Sequence, residues 1–250
     1  MSIEIEDVHK AFESKVVLDG VSLDVREGET LAVIGASGSG KSVLLKTIVG
    51  LLPPERGRVT VDGEVVTELK REKLNELRRR VGYVFQFAAL FDSMTVAENL
   101  TMGLRRIHGM SVEEMARRVT EALTLVEMDG YEDQYPGQLS GGQRKRVGLA
   151  RAVVTNPKYL LYDEPTTGLD PVTTAVIDRL IAKLDEELNV TSVLVTHDMK
   201  SAYRVSDRIA MLHEGRIRFV GTPAEIQNAD DNVVRGFIEG RPELVQEASA

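Results

Sequence analysis

An α/β fold is predicted for this chain of 250 residues by three observations. Short apolar runs suited to buried strands recur along it, helical patterns separate them, and a glycine-rich turn joins one run to a helix. The runs lie at residues 30–34, 81–85, 159–162, 191–195, 208–212 and 216–220. A helix is expected around 172–188, between the third and fourth of them.

The remaining elements follow in chain order. Met1-Ser2-Ile3-Glu4-Ile5-Glu6 alternates polar and apolar residues like a strand and lacks the apolar core of a secretion signal. Asp62-Gly63, between Arg58-Val59-Thr60-Val61 and Glu64-Val65-Val66, signals a hairpin. From about 95 to 157 the pattern is helical, with Met115, Val119, Leu123 and Val126 at helical spacing, and Asn156-Pro157 stops it. Glu214-Gly215 turns the last strand pair, and Thr222-Pro223-Ala224-Glu225 has the cap, proline and glutamate of a helix start. The expected organisation is one domain over 1–250, its α/β core interrupted by a helical lobe at about 95–157. A tail over 228–250, with Gly240, Pro242 and several acids, reads equally as a disordered end or a docking strap.

Composition narrows the function classes. Hydrophobic residues at 42% and charged residues at 28% suit one globular core. A net charge of −8 argues against a nucleic-acid partner, and Arg78-Arg79-Arg80 reads as a solvated helix face. No cysteine is present, which removes disulfides and thiolate metal sites. The wide spacing of His9, His108, His197 and His213 argues against zinc. No run approaches the roughly 20 apolar residues that span a bilayer, so a cytoplasmic chain is expected, with any membrane role supplied by another chain.

The chemistry concentrates in a few segments. Gly35-Ala36-Ser37-Gly38-Ser39-Gly40-Lys41-Ser42, followed by Val43, matches a phosphate-binding loop that runs from a strand into a helix. Its glycines let backbone N–H groups curl around phosphate oxygens, Lys41 brings charge to the β- and γ-phosphates, and Ser42 is a magnesium ligand. The run at 159–162 delivers Asp163-Glu164, read as a magnesium ligand and as the carboxylate that polarises the attacking water. Tyr162 requires a partner for its hydroxyl if it packs in that strand. Gln86 ends another run, where its amide reaches the metal or the water, or else is a buried structural amide. His197 follows Thr196 at a strand's C-terminal end, where ligands gather in parallel sheets, and there it would contact the γ-phosphate and hold Glu164. Phe12 fits either adenine stacking or core packing.

Leu139-Ser140-Gly141-Gly142-Gln143 is the most telling segment. Ser140 caps a helix carrying Val147, Ala150 and Val154, and Gly141 and Gly142 leave its first N–H groups open to an anion. This second anion site is expected to have no base, lysine or metal ligand of its own, so it makes sense over the γ-phosphate held by a second copy of the chain. Asp170 falls where residues would cross such an interface, and an ordinary capped helix with glycines for close packing is the competing reading.

Together these segments resemble the ATP-binding cassette family over nearly the whole chain: Phe12, residues 35–42, Gln86, 139–143, 159–164, 168–170 and His197 stand in the family's order. The resemblance implies a P-loop NTPase (RecA-like) core with an N-terminal antiparallel β subdomain and an inserted helical subdomain. It also implies ATP and Mg2+ as ligands, and a head-to-tail dimer with ATP between one phosphate loop and the partner's Ser140, Gly141, Gly142, Gln143 and Asp170. An integral-membrane permease dimer would dock beside Gln86, placing the chain on the inner face of the cell membrane; Phe85-Gln86-Phe87-Ala88-Ala89-Leu90-Phe91 with Met94 is suitably apolar. Residues 87–96, 143–152, 166–173 and 197–202 are further similar to the ATPases of the Mla and other MCE-linked lipid transporters, which implies MCE-domain and STAS-domain partners. Gln143 departs from the methionine common in that group, which keeps polar amino-acid importers open. A cell-division-type cassette that signals without moving cargo is a further reading.

Overall fold

The computed structural model describes residues 2–105, 107 and 109–247, with nothing said of the side chains of 246 and 247; His108 and the last three residues of the tail lie outside it. In chain order the elements are β1 (Ile3–Phe12), β2 (Lys15–Val25), β3 (Thr30–Ile34), α1 (Lys41–Ile48), β4 (Arg56–Val61), β5 (Glu64–Val65), α2 (Arg71–Arg79) and β6 (Val81–Val84). Then come α3 (Val96–Leu104), α4 (Val112–Leu125), α5 (Gly141–Val153), β7 (Tyr159–Asp163), α6 (Pro171–Leu188), β8 (Thr191–Thr196) and α7 (Met199–Val205). The chain closes with β9 (Arg208–His213), β10 (Arg216–Gly221), α8 (Pro223–Gln227), α9 (Asn232–Glu239) and α10 (Pro242–Glu247).

These elements form two compact units, Met1–Asn75 with Thr191–Ala250, and Glu76–Val190. In the first unit β1 pairs antiparallel with β2 and with β4, and β4 with β5. The hairpin between β4 and β5 turns at Asp62 and Gly63, whose φ values of 52° and 78° are those a two-residue turn requires. A second sheet region in this unit places β3 between β8 and β9, parallel to both, with β10 antiparallel to β9. All residues of β3 and β8 are buried, which is why those runs carry no polar alternation. In the second unit β6 and β7 pair in parallel, Tyr83 opposite Leu161, beside α3, α4, α5 and α6.

Local capping explains where helices begin. Thr95, Ser140 and Thr222 each accept a bond from the backbone three residues on, and the Glu98, Gln143 and Glu225 side chains bond back. Tyr162 is fully buried and its hydroxyl donates to Asp185 Oδ1 at 2.8 Å, which supplies the partner its strand position demanded. Two readings are refined. β6 ends at Val84, so Gln86 sits in the turn beyond the strand rather than on it. The described part of the tail is helical: Val233 and Val234 of α9 are buried with Ala32, Ile34, Met211 and Ile226, because α9 presents one apolar stripe to that sheet.

Candidate functional site

In the first unit, the chain leaves β3 into a turn that only glycine can follow. Gly35, Gly38 and Gly40 have φ of 154°, 78° and 105°, and a Cβ on Gly35 would stand 2.3 Å from the Leu212 carbonyl oxygen. Ala36, Ser37 and Gly38 are exposed, and a Cβ on Gly38 would meet nothing within 4 Å, so the loop's outer rim is open. α1 then starts at Gly40 with no side chain capping it, which leaves its first N–H groups available to an outside acceptor. Lys41 is 4% exposed and its Nζ donates to the Gly35 and Ala36 carbonyls at 2.8 and 3.1 Å. Ser39 Oγ is buried without a hydrogen-bond partner. An uncapped helix N-terminus, a glycine cradle, a buried ammonium and an orphaned hydroxyl together fit a polyphosphate. Ser42 and Val43, half-buried, lie on the first turn of α1.

Two further predicted residues belong to the same unit. Phe12 closes β1 with 43% of its surface exposed and the Lys10 ammonium 5.6 Å from its ring centroid. That exposure removes the core-packing reading. His197 is exposed directly after β8.

In the second unit, β7 delivers Asp163 and Glu164, 6% and 8% exposed. Asp163 Oδ2 accepts the Tyr83 hydroxyl of β6 at 3.1 Å. Burial, and then the Asp163 charge, push the Tyr83 pKa well up, so the phenol stays a donor. Glu164 has φ of 51°, a left-handed conformation that a β-substituted residue adopts at a cost, and Thr167 Oγ1 donates to its Oε2 at 2.8 Å. Gln86 is half-buried and its carbonyl accepts Lys145 Nζ. Hard oxygen donors of the kind offered by Asp163, Gln86 and Ser42 suit Mg2+ better than a softer metal.

The helix α5 opens beside a cavity of about 700 Å³ lined in part by Tyr131, Ser140, Gly141, Gly142, Arg146 and Asp170. Gly141 is exposed, and a Cβ there would meet only Leu169 at 3.9 Å, whereas one on Gly142 would press on Thr173 Cγ2 at 2.8 Å. Gly142 therefore has a packing reason of its own, beside the anion site expected from the sequence. Gln143 is committed locally: its Oε1 accepts from the Ser140 N–H at 2.8 Å and its Nε2 donates to the Tyr131 hydroxyl at 3.0 Å. Asp170 caps α6, Oδ1 accepting from the Val172 and Thr173 N–H groups, and the Thr173 hydroxyl bond leads in holding its carboxyl below the usual range. The cavity also contains a cation, Arg146, its guanidinium engaged by Glu127 at 2.8 Å and by the Val126 carbonyl.

Sequence reasoning missed Tyr83, Thr167, Arg146 and Lys145. For Lys145 a signal existed, because it falls in register with Gly148, Leu149 and Ala152 on the buried face of α5. Tyr83 acts through Asp163, a partner that only the folded chain brings to it, whereas Thr167 lies within one turn of Glu164.

Comparison with known proteins agrees with this geometry. A family model described as ABC transporter matches residues 18–167. The sulfate/thiosulfate import ATP-binding protein CysA of Caulobacter vibrioides is 44% identical over 242 residues, 95% of this chain and 70% of that protein. The probable ribonucleotide transport ATP-binding protein mkl of Mycobacterium leprae is 40% identical over 241 residues, 96% and 70% of the two. Among solved structures, a dimeric post-hydrolysis state of an ATP-binding cassette bound to ADP and Pi has a TM-score of 0.81 at 35% identity, covering 88% of this chain and 98% of that one. A cassette from Clostridium perfringens, part of the ABC transporter complex cbiONQ, has a TM-score of 0.83 at 28% identity over 99% of this chain and 98% of its own. Phosphate loop, buried carboxylate pair and glycine-opened helix thus belong to an ATP-binding, ATP-hydrolysing subunit of the ABC transporter family, of which this chain is a member.

Proposed function

We propose that this ATPase works as a head-to-tail dimer, each ATP lying between the 35–42 loop of one protomer and Ser140, Gly141, Gly142, Gln143 and Asp170 of its partner. The observation that carries this reading is the open cavity at the start of α5, an anion site whose one lining arginine is already paired. A chain with a complete phosphate cradle elsewhere has no need of it for its own nucleotide. That a similar cassette bound to ADP and Pi is dimeric supports a dimer here.

Within each site Lys41 holds the β- and γ-phosphates, and Phe12 stacks on the adenine. Ser42, Asp163 and Gln86 hold Mg2+, which when bound neutralises phosphate charge. Glu164 accepts the proton of the attacking water, a role worth about 10²–10⁴ in rate, while His197 steadies Glu164 and the γ-phosphate. Thr167 fixes the Glu164 carboxylate, and Tyr83 fixes that of Asp163.

The partner in the membrane is an integral permease dimer. Phe87 and Phe91, 80% and 50% exposed beyond β6, support an apolar docking surface there. Among the described residues no helix is long and apolar enough to cross a membrane, so translocation itself belongs to that permease. The transported cargo we read as phospholipid, with MCE-domain and STAS-domain subunits, on the resemblance of residues 87–96, 143–152, 166–173 and 197–202 to MCE-linked ATPases. The second reading is a polar solute, favoured by the 44% identity to a protein named for sulfate and thiosulfate import. Co-purification of the permease from native membranes, followed by ATP-dependent transfer of labelled phospholipid between vesicles, tests the choice. Transfer that Glu164→Gln abolishes supports the lipid reading, and ATP-driven uptake of sulfate without lipid transfer overturns it.

A further inference from the structure

α5 does more than open the cavity at its start. Along one side of it, Lys145 and Arg151 stand six residues apart, about 9 Å along the axis, with Gly148 midway. Lys145 Nζ donates to the Gln86 carbonyl. Arg151 donates to the Ala89 carbonyl at 2.5 Å and to the Ala88 carbonyl at 2.6 Å, its guanidinium carbon 5.9 Å from the Phe85 ring centroid. At Gly148 the glycine permits close contact, since a Cβ there would stand 3.3 Å from the Ala88 Cβ. Two side chains of the helix thus grip three carbonyls of a single loop, with a close approach at Gly148 between them.

That loop needs gripping. Ala88 and Ala89 have φ of 58° and 50°, left-handed conformations that are strained for a residue with a Cβ. The grip is also expensive for the helix. Lys145 is only 8% exposed, and taking an ammonium out of water is costly. A methionine would fill the same space without that cost, so stability alone gives no reason for a cation there.

We propose that Lys145 and Arg151 are positioning residues of the ATPase, clamping the loop that carries Gln86 to the helix whose first turn faces the Ser140–Gly142 cavity. This rests on the proposed role of Gln86 and deepens it. The helix α5 is packed directly on β6, because Gly82 allows the Ala152 carbonyl to within 2.3 Å of where a Cβ would be. Displacement of the first turn of α5 by a nucleotide is therefore transmitted to the Gln86 backbone one helical turn away, with no side chain of the loop involved.

The test uses the full chain carrying Lys145→Met or Lys145→Arg, with three readouts: backbone hydrogen exchange over 86–91, affinity for a non-hydrolysed ATP analogue, and steady-state ATP turnover. Lys145→Met is expected to speed exchange across the loop about tenfold and to lower kcat about tenfold, with analogue affinity within about twofold of wild type. Lys145→Arg, which reaches the same carbonyl, restores both. Wild-type kcat in Lys145→Met, or loss of kcat that Lys145→Arg fails to restore, overturns the proposal. If Lys145→Met does not fold, Arg151→Lys supplies the test: one carbonyl contact replaces two, so faster exchange at 88–91 with reduced kcat is expected, and faster exchange with unchanged kcat overturns it. Glu164→Gln separates this from the parent reading, since normal hydrolysis in that variant would sink the assigned catalytic roles whatever the loop does.

Discussion

Gly141 offers a perturbation whose structural and functional consequences point in opposite directions. In Gly141→Ala the added methyl meets only Leu169 Cδ2 at 3.9 Å, an ordinary contact. Alanine is favoured over glycine in a helix by up to about 1 kcal/mol, and first-turn positions realise part of that. The chain should therefore hold or gain stability, and about 1 kcal/mol corresponds to a rise of about 2–4 °C in Tm for a domain of this size. The same methyl sits on an exposed face of the first turn of α5, beside the cavity that is proposed to take the partner's γ-phosphate. Turnover is expected to fall by about tenfold or more, since the first-turn N–H groups are an oxyanion-type donor set. Thermal unfolding of the purified chain and ATP hydrolysis at saturating Mg-ATP measure the two halves. Gly142→Ala is the companion: its Cβ would press on Thr173 Cγ2 at 2.8 Å, so the propensity gain is offset and Tm stays flat or falls. A Gly141→Ala chain that is more stable and equally active would refute the reasoning, leaving the glycine as a packing residue.

Other perturbations test separate parts. Lys41→Ala removes the buried ammonium of the phosphate cradle, and calorimetry should show ATP affinity reduced by about 10²-fold or more; unchanged binding would count against it. Tyr162→Phe deletes the hydroxyl bonded to Asp185 in a fully buried strand and should cost about 1.5–3 kcal/mol in urea unfolding without altering ATP affinity. Glu114 on α4 has its carboxyl held below the usual range, first by the Arg117 bond and then by that from Arg118. A depressed carboxylate contributes above its unfolded-state pKa and loses that contribution as pH falls through the folded-state value, so the urea midpoints of wild type and Glu114→Gln should differ at neutral pH and converge in acid.

What the sequence disclosed and what it hid divide along physical lines. β3, β8 and β9 were legible because each is a run of residues buried on both faces, and a local signal suffices for that. The starts of α5 and α8 were legible because their capping boxes close within four residues. The phosphate loop was legible for the same reason, its glycines answering to backbone angles fixed over eight positions. Asp170 carried a local signal that went unread: an aspartate before Pro171 marks a helix cap, and it bonds the Val172 and Thr173 N–H groups. The partners of Tyr83, Lys145 and Arg151 were opaque because they lie about sixty to eighty residues away, and spacing along the chain carries no trace of such pairings. α9 was hidden in a tail whose acids and glycines mask one apolar stripe, Val233, Val234 and Phe237.

The sedimentation mass of Glu164→Gln with and without Mg-ATP bears most directly on the shared site. The carboxylate it alters is buried beside Asp163, so binding should survive while hydrolysis, and with it release, should stop. Two chains per particle in Mg-ATP, reverting to one when Gly141→Asp is added, is the outcome predicted here. A particle saturated with ATP that sediments as a single chain would contradict it.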